Sequence, residues 1–278
     1  MQKRQITSSR MNVNAGIMSW YVKELKKLVK SMTKECEKEL IGIYRRLDYQ
    51  VEIAQDESIS SQVRIALNAL RDKYGDKFTK KAKALVEQLL KKTNRYSNSQ
   101  INRALKDMVG DKASGFALVG SAISPKKSEV MKALIFENVS LIKSISDEYF
   151  KQITGAVARS IESGTGLKEL SEEILTFGAK SKRRADLIAQ DQTRKAYTAI
   201  NLRNFEEAGI KKFKWMHSGG SREPREYHMK DYPEGLNGGV FDIATGAPNQ
   251  AGKKPAYIYP AQEPYCRCVM QAVLDFED

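Results

Sequence analysis

The two histidines of the chain, His217 and His228, fall in the same C-terminal stretch as two of its three cysteines, Cys266 and Cys268. Two imidazoles and two thiolates are enough for a tetrahedral Zn²⁺ site, because zinc takes nitrogen and sulfur ligands without a geometric preference of its own. The C-x-C spacing is tighter than the common C-x-x-C. The conservative ligand set is therefore His228, Cys266 and Cys268, with His217 as a further candidate. Such a site would staple a small β-rich lobe rather than perform a reaction. No other cofactor is required by any motif in the chain.

Three further readings stand beside the metal. A histidine that titrates near neutral pH and an arginine for phosphate charge are the right types for phosphodiesterase or nucleotidyl/ADP-ribosyl-type transfer. Arg225 and His228, with Glu226 and Asp231, would be the candidates. No paired-carboxylate metal site, nucleophile elbow or phosphate-cradling loop accompanies them, so the chain is expected not to be an enzyme. In the structural reading, Arg225 and His228 tie a hairpin to a carboxylate such as Asp191, with Trp215 packed beneath. Cys266 and Cys268 would then share one face of a strand, with Arg267 on the other. For nucleic acid, no zinc-finger spacing, helix-turn-helix signature or RNP motif appears. Any DNA contact should be to phosphates, independent of sequence and weakened steeply by salt.

These residues need elements to hold them, and proline marks where the elements change. Pro125 is the only proline before residue 224; the other six crowd the last quarter. Proline breaks helix interiors, so the first part of the chain can be helical throughout and the last part cannot. Met18, Tyr21, Leu25, Leu28, Met32, Cys36, Leu40, Ile43 and Leu47 recur at three- and four-residue steps, one apolar stripe along a long helix. Lys23, Lys26, Lys27, Lys30 and Lys34 lie beside it. Two further helices are expected over 60–73 and 76–92, and residues 113–124 read as a loop packed on the domain. Past Pro125 the pattern predicts a helix, a break at Ser144-Ile145-Ser146, and a second helix capped by Ser146. A stop follows at Gly164-Thr165-Gly166, then a short helix ending at Gly178 and a long one over 181–208 closed by Gly209. After it, 211–216 alternates and reads as a strand, 238–242 as a turn into another, 245–255 as a loop, 257–259 as extended, and CRCVMQAVL as a closing strand.

Composition agrees with a folded chain: 41% of residues are hydrophobic and 29% charged, which is globular rather than disordered. No apolar run of about 18 residues occurs, so no membrane span is expected. The basic N-terminus is not followed by an apolar core or cleavage site, so no secretory signal is expected. Three cysteines fit a reducing compartment, with Cys36 a small core residue. The net charge of +13 lies in the first two-thirds of the chain. A basic body favours polyanions such as DNA, RNA or an acidic protein face.

The ordered segments RRADLIAQDQTRKAYTAINLRNFEEAGI, FKWMHSGGSREPREYH, a glycine turn with VFD, a proline-rich loop and CRC resemble the Mu F-like minor head protein domain of tailed phages and prophages. The resemblance covers about residues 135–276. It rests on Arg184, Ala185, Ile188, Ala189, Gly209, Trp215, Arg225, His228, Cys266, Arg267 and Cys268. The chain departs from the family pattern at 229–237, which is longer than a brief link to the glycine turn. Together with the helical pattern ahead of it, the resemblance gives an expected α+β fold: a basic all-helical N-terminal region over 1–125, read from the residues, then a Mu F-like domain over 126–278. That domain would comprise helices over 126–208 and a small β-hairpin lobe over 209–278. It implies a low-copy protein of the capsid interior, present in the host cytoplasm during assembly. Its expected partners are the portal, scaffold or major capsid protein and packaged double-stranded DNA, and its role head assembly or DNA delivery.

Overall fold

The computed structural model describes residues 4–48, 59–110, 116–163, 167–219, 225–252 and 254–276. The fold is α+β, with long helices and a small antiparallel sheet. In chain order the elements are β1 (Arg4–Thr7), α1 (Ala15–Asp48), α2 (Ile59–Val109), α3 (Pro125–Ser163), α4 (Leu167–Glu207), β2 (Lys212–Met216), α5 (Glu226–Met229), β3 (Val240–Asp242), β4 (Ala247–Pro248), β5 (Tyr257–Ile258) and β6 (Val269–Phe276). Among the described residues, no helix is long and apolar enough to cross a membrane.

The helices are fewer and longer than the sequence pattern suggests. Residues 60–73 and 76–92 belong to the single helix α2, with Gly75 in its interior. One glycine costs a helix only about 1 kcal/mol relative to alanine. That is small beside the burial of Tyr74, Phe78, Ala82, Val86 and Leu89 along the same face. The break expected at Ser144-Ile145-Ser146 is also absent, and α3 runs through it. Ile142, Ile145 and Tyr149 are all buried, at helical spacing, and the Ser144 hydroxyl donates back to the Leu141 carbonyl (2.7 Å). Gly178 does not end a helix either. It lies inside α4, where an added Cβ would stand 3.3 Å from Thr33 Cγ2, so the glycine permits close approach of α1. The expected stop at Gly164-Thr165-Gly166 lies outside the described residues.

The expected stripe of α1 and the stop at Gly209 hold, and two helix caps stand beside them. Asn14 caps α1, its Oδ1 accepting from the Ile17 amide (2.9 Å). The stripe of α1 is buried from Tyr21 through Ile43. Ser124 and Pro125 open α3 in N-cap and first-turn positions, with the Ser124 hydroxyl accepting from the Lys127 amide (3.3 Å). Gly209 closes α4 with φ +82°, and the Ile210 amide reaches back to the Phe205 carbonyl (2.8 Å).

The chain forms two compact units, each drawn from separate stretches. One comprises Ser19–Glu87 and Ile135–Ala189. It is a helical bundle in which Tyr21 bonds Asn138 (3.1 Å) and Lys26 pairs with Asp186 (3.4 Å). The other comprises Met1–Met18, Gln88–Leu134 and Gln190–Asp278. The boundary expected near residue 125 falls inside this second unit, in the loop ahead of α3. Described residues 116–124 of that loop are pinned on α2: the Val119 amide donates to Asn102 Oδ1 (2.8 Å), and Asn98 Nδ2 donates to the Gly120 carbonyl (2.7 Å).

The sheet of this second unit has the order β1-β6-β2-β3, and β4 pairs with β5. The N-terminal region is therefore not all helical. Residues 4–7 pair antiparallel with the last strand, Ile6 opposite Leu274. That pairing was not legible, because four residues with one apolar side chain carry no period-two signal. In β2, Phe213 and Trp215 are buried while Lys212, Lys214 and Met216 are half-buried, as its alternation requires. Phe213, Trp215, Met270, Ala272 and Leu274 join Phe205 and Tyr197 of α4 in one core.

Candidate metal centre

Three segments of the second unit converge under the sheet. His217 follows β2 directly, His228 sits in the single turn of α5, and Cys266 and Cys268 precede β6. The expectation of a strand through both cysteines is corrected: β6 begins at Val269. Burial still alternates across the motif, with both cysteines buried and Arg267 exposed, so the two thiols face the same way.

The distances are short. His228 Nδ1 lies 3.6 Å from Cys266 Sγ and 3.7 Å from Cys268 Sγ, and His217 Nδ1 lies 3.7 Å from Cys268 Sγ. The ligand atoms of His228, Cys266 and Cys268 all lie within 4.8 Å of one another, and all three residues are buried. His217 is half-buried at the edge of this group.

Each member is held from outside the cluster. Nε2 of His228 stands 2.8 Å from a carboxylate oxygen of Glu263. The same oxygen accepts a hydrogen bond from the Tyr227 hydroxyl (2.7 Å) and lies 3.5 Å from Arg225 Nε. Arg225 also donates to the Pro264 carbonyl (3.1 Å). Trp215 meets the His228 ring edge-on with centroids 4.9 Å apart, a preferred aromatic geometry. The carboxylate that ties Arg225 and His228 is thus Glu263, not Asp191. Asp191 on α4 instead accepts the Tyr265 amide (2.6 Å) and pairs with Lys195 (3.2 Å). It thereby anchors the residue ahead of Cys266, which has φ +60°, a left-handed conformation costly for tyrosine.

The long loop over 229–237 positions His217. The Leu236 amide bonds back to the Tyr227 carbonyl (2.7 Å), and Gly235 lies so close to the Lys230 carbonyl that a Cβ there would stand 2.2 Å from its oxygen. Asn237 Oδ1 then accepts the His217 amide (2.9 Å), and the Gly238 amide donates to the Trp215 carbonyl (2.9 Å).

The two thiols share one proton unequally. The hydrogen bond from Cys268 pushes the Cys266 thiol down, against the opposing effect of burial and with help from His228. Cys268 is pushed up, first by that same hydrogen bond to Cys266 and then by burial, while hydrogen bonds from the Trp215 side chain and the Ser218 backbone act the other way. Burial, with the hydrogen bond to Glu263, pushes the Tyr227 hydroxyl up, so it stays a donor.

The remaining sequence candidates do not join this group. Glu226 is exposed and pairs with Lys230 (3.4 Å), and Asp231 accepts from Asn237 Nδ2 (2.7 Å). Arg184 belongs to the helical bundle, where it donates to the Ser144 hydroxyl (2.9 Å). Arg222 lies outside the described residues. Arg267 faces a cavity of 220 Å³ with Arg10, Asn12, Arg194, Asn201 and Ser218. There, burial and the neighbouring Arg267 lower the affinity of Arg194 for its proton, opposed by Asp191. Sequence reasoning missed Glu263, Tyr227 and Asn237. A carboxylate three residues ahead of C-x-C is a signal for Glu263; nothing in the sequence marks the other two.

Comparison with known proteins agrees with the resemblance. Residues 151–271 match the family model described as phage Mu protein F like protein. That match spans the C-terminal part of α3, all of α4 and the lobe with His217, His228, Cys266 and Cys268. A relative described as an uncharacterized protein from Haemophilus influenzae is 28% identical over 92% of this chain. The chain spans about half the length of that relative, 53% of it. No solved structure matches. Over residues 151–271, this chain is similar to the phage Mu protein F like family.

Proposed function

We propose that the chain is a phage minor head protein, carried in few copies inside the procapsid and head. There it would associate with the portal and packaged DNA and assist head assembly or DNA delivery. The family match over residues 151–271 carries this reading, because that family implies head morphogenesis. The basic balance of the chain, +13 overall, supports contact with DNA or an acidic portal face through phosphate or carboxylate charge. On the enzymatic alternative, Arg225 and His228 are adjacent through Glu263. However, His228 is only 3% exposed, and its two ring nitrogens face Glu263 and the cysteine sulfurs. That geometry suits a scaffold better than a general base, which must reach a substrate proton.

Quantitative mass spectrometry of purified phage particles, before and after protease treatment of intact heads, tests the proposal. Low-copy peptides protected from protease are the expected result. Presence only in immature particles would make the chain a procapsid factor. Absence from both particle types would overturn a head role and leave the enzymatic reading in front.

A further inference from the structure

We propose that His217, His228, Cys266 and Cys268 form a tetrahedral zinc site that staples the C-terminal lobe. In a tetrahedron with Zn–S about 2.3 Å and Zn–N about 2.0–2.1 Å, the nitrogen-to-sulfur edge is about 3.6 Å. The nitrogen-to-sulfur separations here are 3.6, 3.7 and 3.7 Å. Three of the four nitrogen-to-sulfur edges therefore stand at zinc-bound spacing; His228, Cys266 and Cys268 lie within 4.8 Å of one another, and His217, which touches Cys268 alone of the two cysteines, completes the tetrahedron by turning inward.

Hydrogen bonding alone accounts for this less well. The imidazole Nδ1 of His228 has one lone pair and can accept one S–H, yet both sulfurs sit at nearly equal distance from it. A cation at the centre satisfies all four atoms together. The outer contacts follow the same logic. Metal on Nδ1 leaves the His228 proton on Nε2, facing the Glu263 carboxylate 2.8 Å away. Carboxylates in this place orient ligating imidazoles; Nε2 does not hydrogen-bond as the ring stands, and a small turn of the ring would aim its N–H at Glu263. Tyr227 and Arg225 hold Glu263 in turn.

The ligand set also selects the ion. Two thiolates and two imidazoles in tetrahedral order suit Zn²⁺, whereas Mg²⁺ and Ca²⁺ require oxygen ligands. Four protein ligands close the coordination sphere, which marks a structural site with no position for a reacting water. The lobe has reason to need one. Between Met216 and Val269 its strands are two or three residues long, too short to hold a sheet by pairing alone.

The test uses the full untagged chain. Elemental analysis should return about one zinc per chain, the stoichiometry of a single tetrahedral site. A strong chelator should lower Tm, and added Zn²⁺ should restore it. Cobalt substitution should give the intense ligand-field bands of tetrahedral Co²⁺ and a thiolate-to-cobalt charge-transfer band. Cys268→Ser should abolish zinc retention. Because that variant could also fail to fold, His217→Ala supplies an independent check: this half-buried ligand should leave a folded protein with weakened zinc affinity and altered cobalt bands. Folded wild-type protein that takes up neither Zn²⁺ nor Co²⁺ would overturn the site. Unchanged cobalt bands in His217→Ala would overturn the four-ligand assignment.

Discussion

Glu263 carries more of the C-terminal lobe than its place in a proline-flanked loop suggests. One of its oxygens meets Tyr227, Arg225 and His228, so three side chains separated from it by 35 or more positions in the chain are fixed through a single carboxylate. Asp191 has the complementary task of holding the backbone at Tyr265. Removing it leaves a part-buried amide without its acceptor and a left-handed residue without its restraint. Asp191→Ala should therefore cost about 1–3 kcal/mol. Chemical denaturation should show a lower midpoint, with Asp191→Asn losing less because its amide oxygen can still accept. Equal stability of Asp191→Ala and wild type would mean that the Tyr265 turn is held by its other neighbours.

At the scale of elements, the junction between α3 and α4 rests on a buried charge. Lys127 is fully buried, and its ammonium pairs with Glu207 (2.7 Å). The other Glu207 oxygen accepts from the N-cap hydroxyl of Ser124 (2.6 Å). Breaking a buried pair from one side strands the other charge and costs about 3–5 kcal/mol, whereas replacing both partners by apolar groups is often neutral. Glu207→Ala should then be strongly destabilising, and Lys127→Met with Glu207→Leu should recover much of the loss. A double-mutant cycle read by urea denaturation measures this coupling; purely additive losses would argue against it. Nearby, Asn204 reaches Ser97 and Asn98 of α2 (2.6 and 2.8 Å). Polar groups thus lock the register of α2 and α4, and apolar burial alone would not.

For the whole molecule, the unit that holds the candidate centre is assembled from both ends of the chain and a middle stretch. Strand β1 lies against β6, Met11 bridges to Met270, and Ile101, Ala104 and Leu105 of α2 enter the same core. A fragment of residues 126–278 would contain the family-matched segment and both ligand pairs, yet lack these partners. It should be soluble only as a partly folded species with weakened amide-exchange protection in β6. Native-like protection in the isolated fragment would show that the segment folds by itself. The same interleaving assigns the basic N-terminal half to no single unit, so charge and core are distributed on different principles.

Sequence alone determined the class of the elements and the cluster of rare residues. Apolar periodicity defines the buried face of α1, proline placement separates helix from lobe, and Gly209 marks a helix end, because each is a local property of neighbouring residues. The grouping of His217, His228, Cys266 and Cys268 was legible for the same reason: scarce types concentrated in one stretch. Tertiary structure decided the rest. Gly75, Ser144 and Gly178 look like breaks locally, but burial along a helix face outweighs roughly 1 kcal/mol of propensity. Glu263 rather than Asp191 became the partner of His228, and residues 4–7 became the edge strand beside the C-terminus. Those outcomes depend on which surfaces meet across 35 residues in the one case and more than 200 in the other, and no local pattern records that.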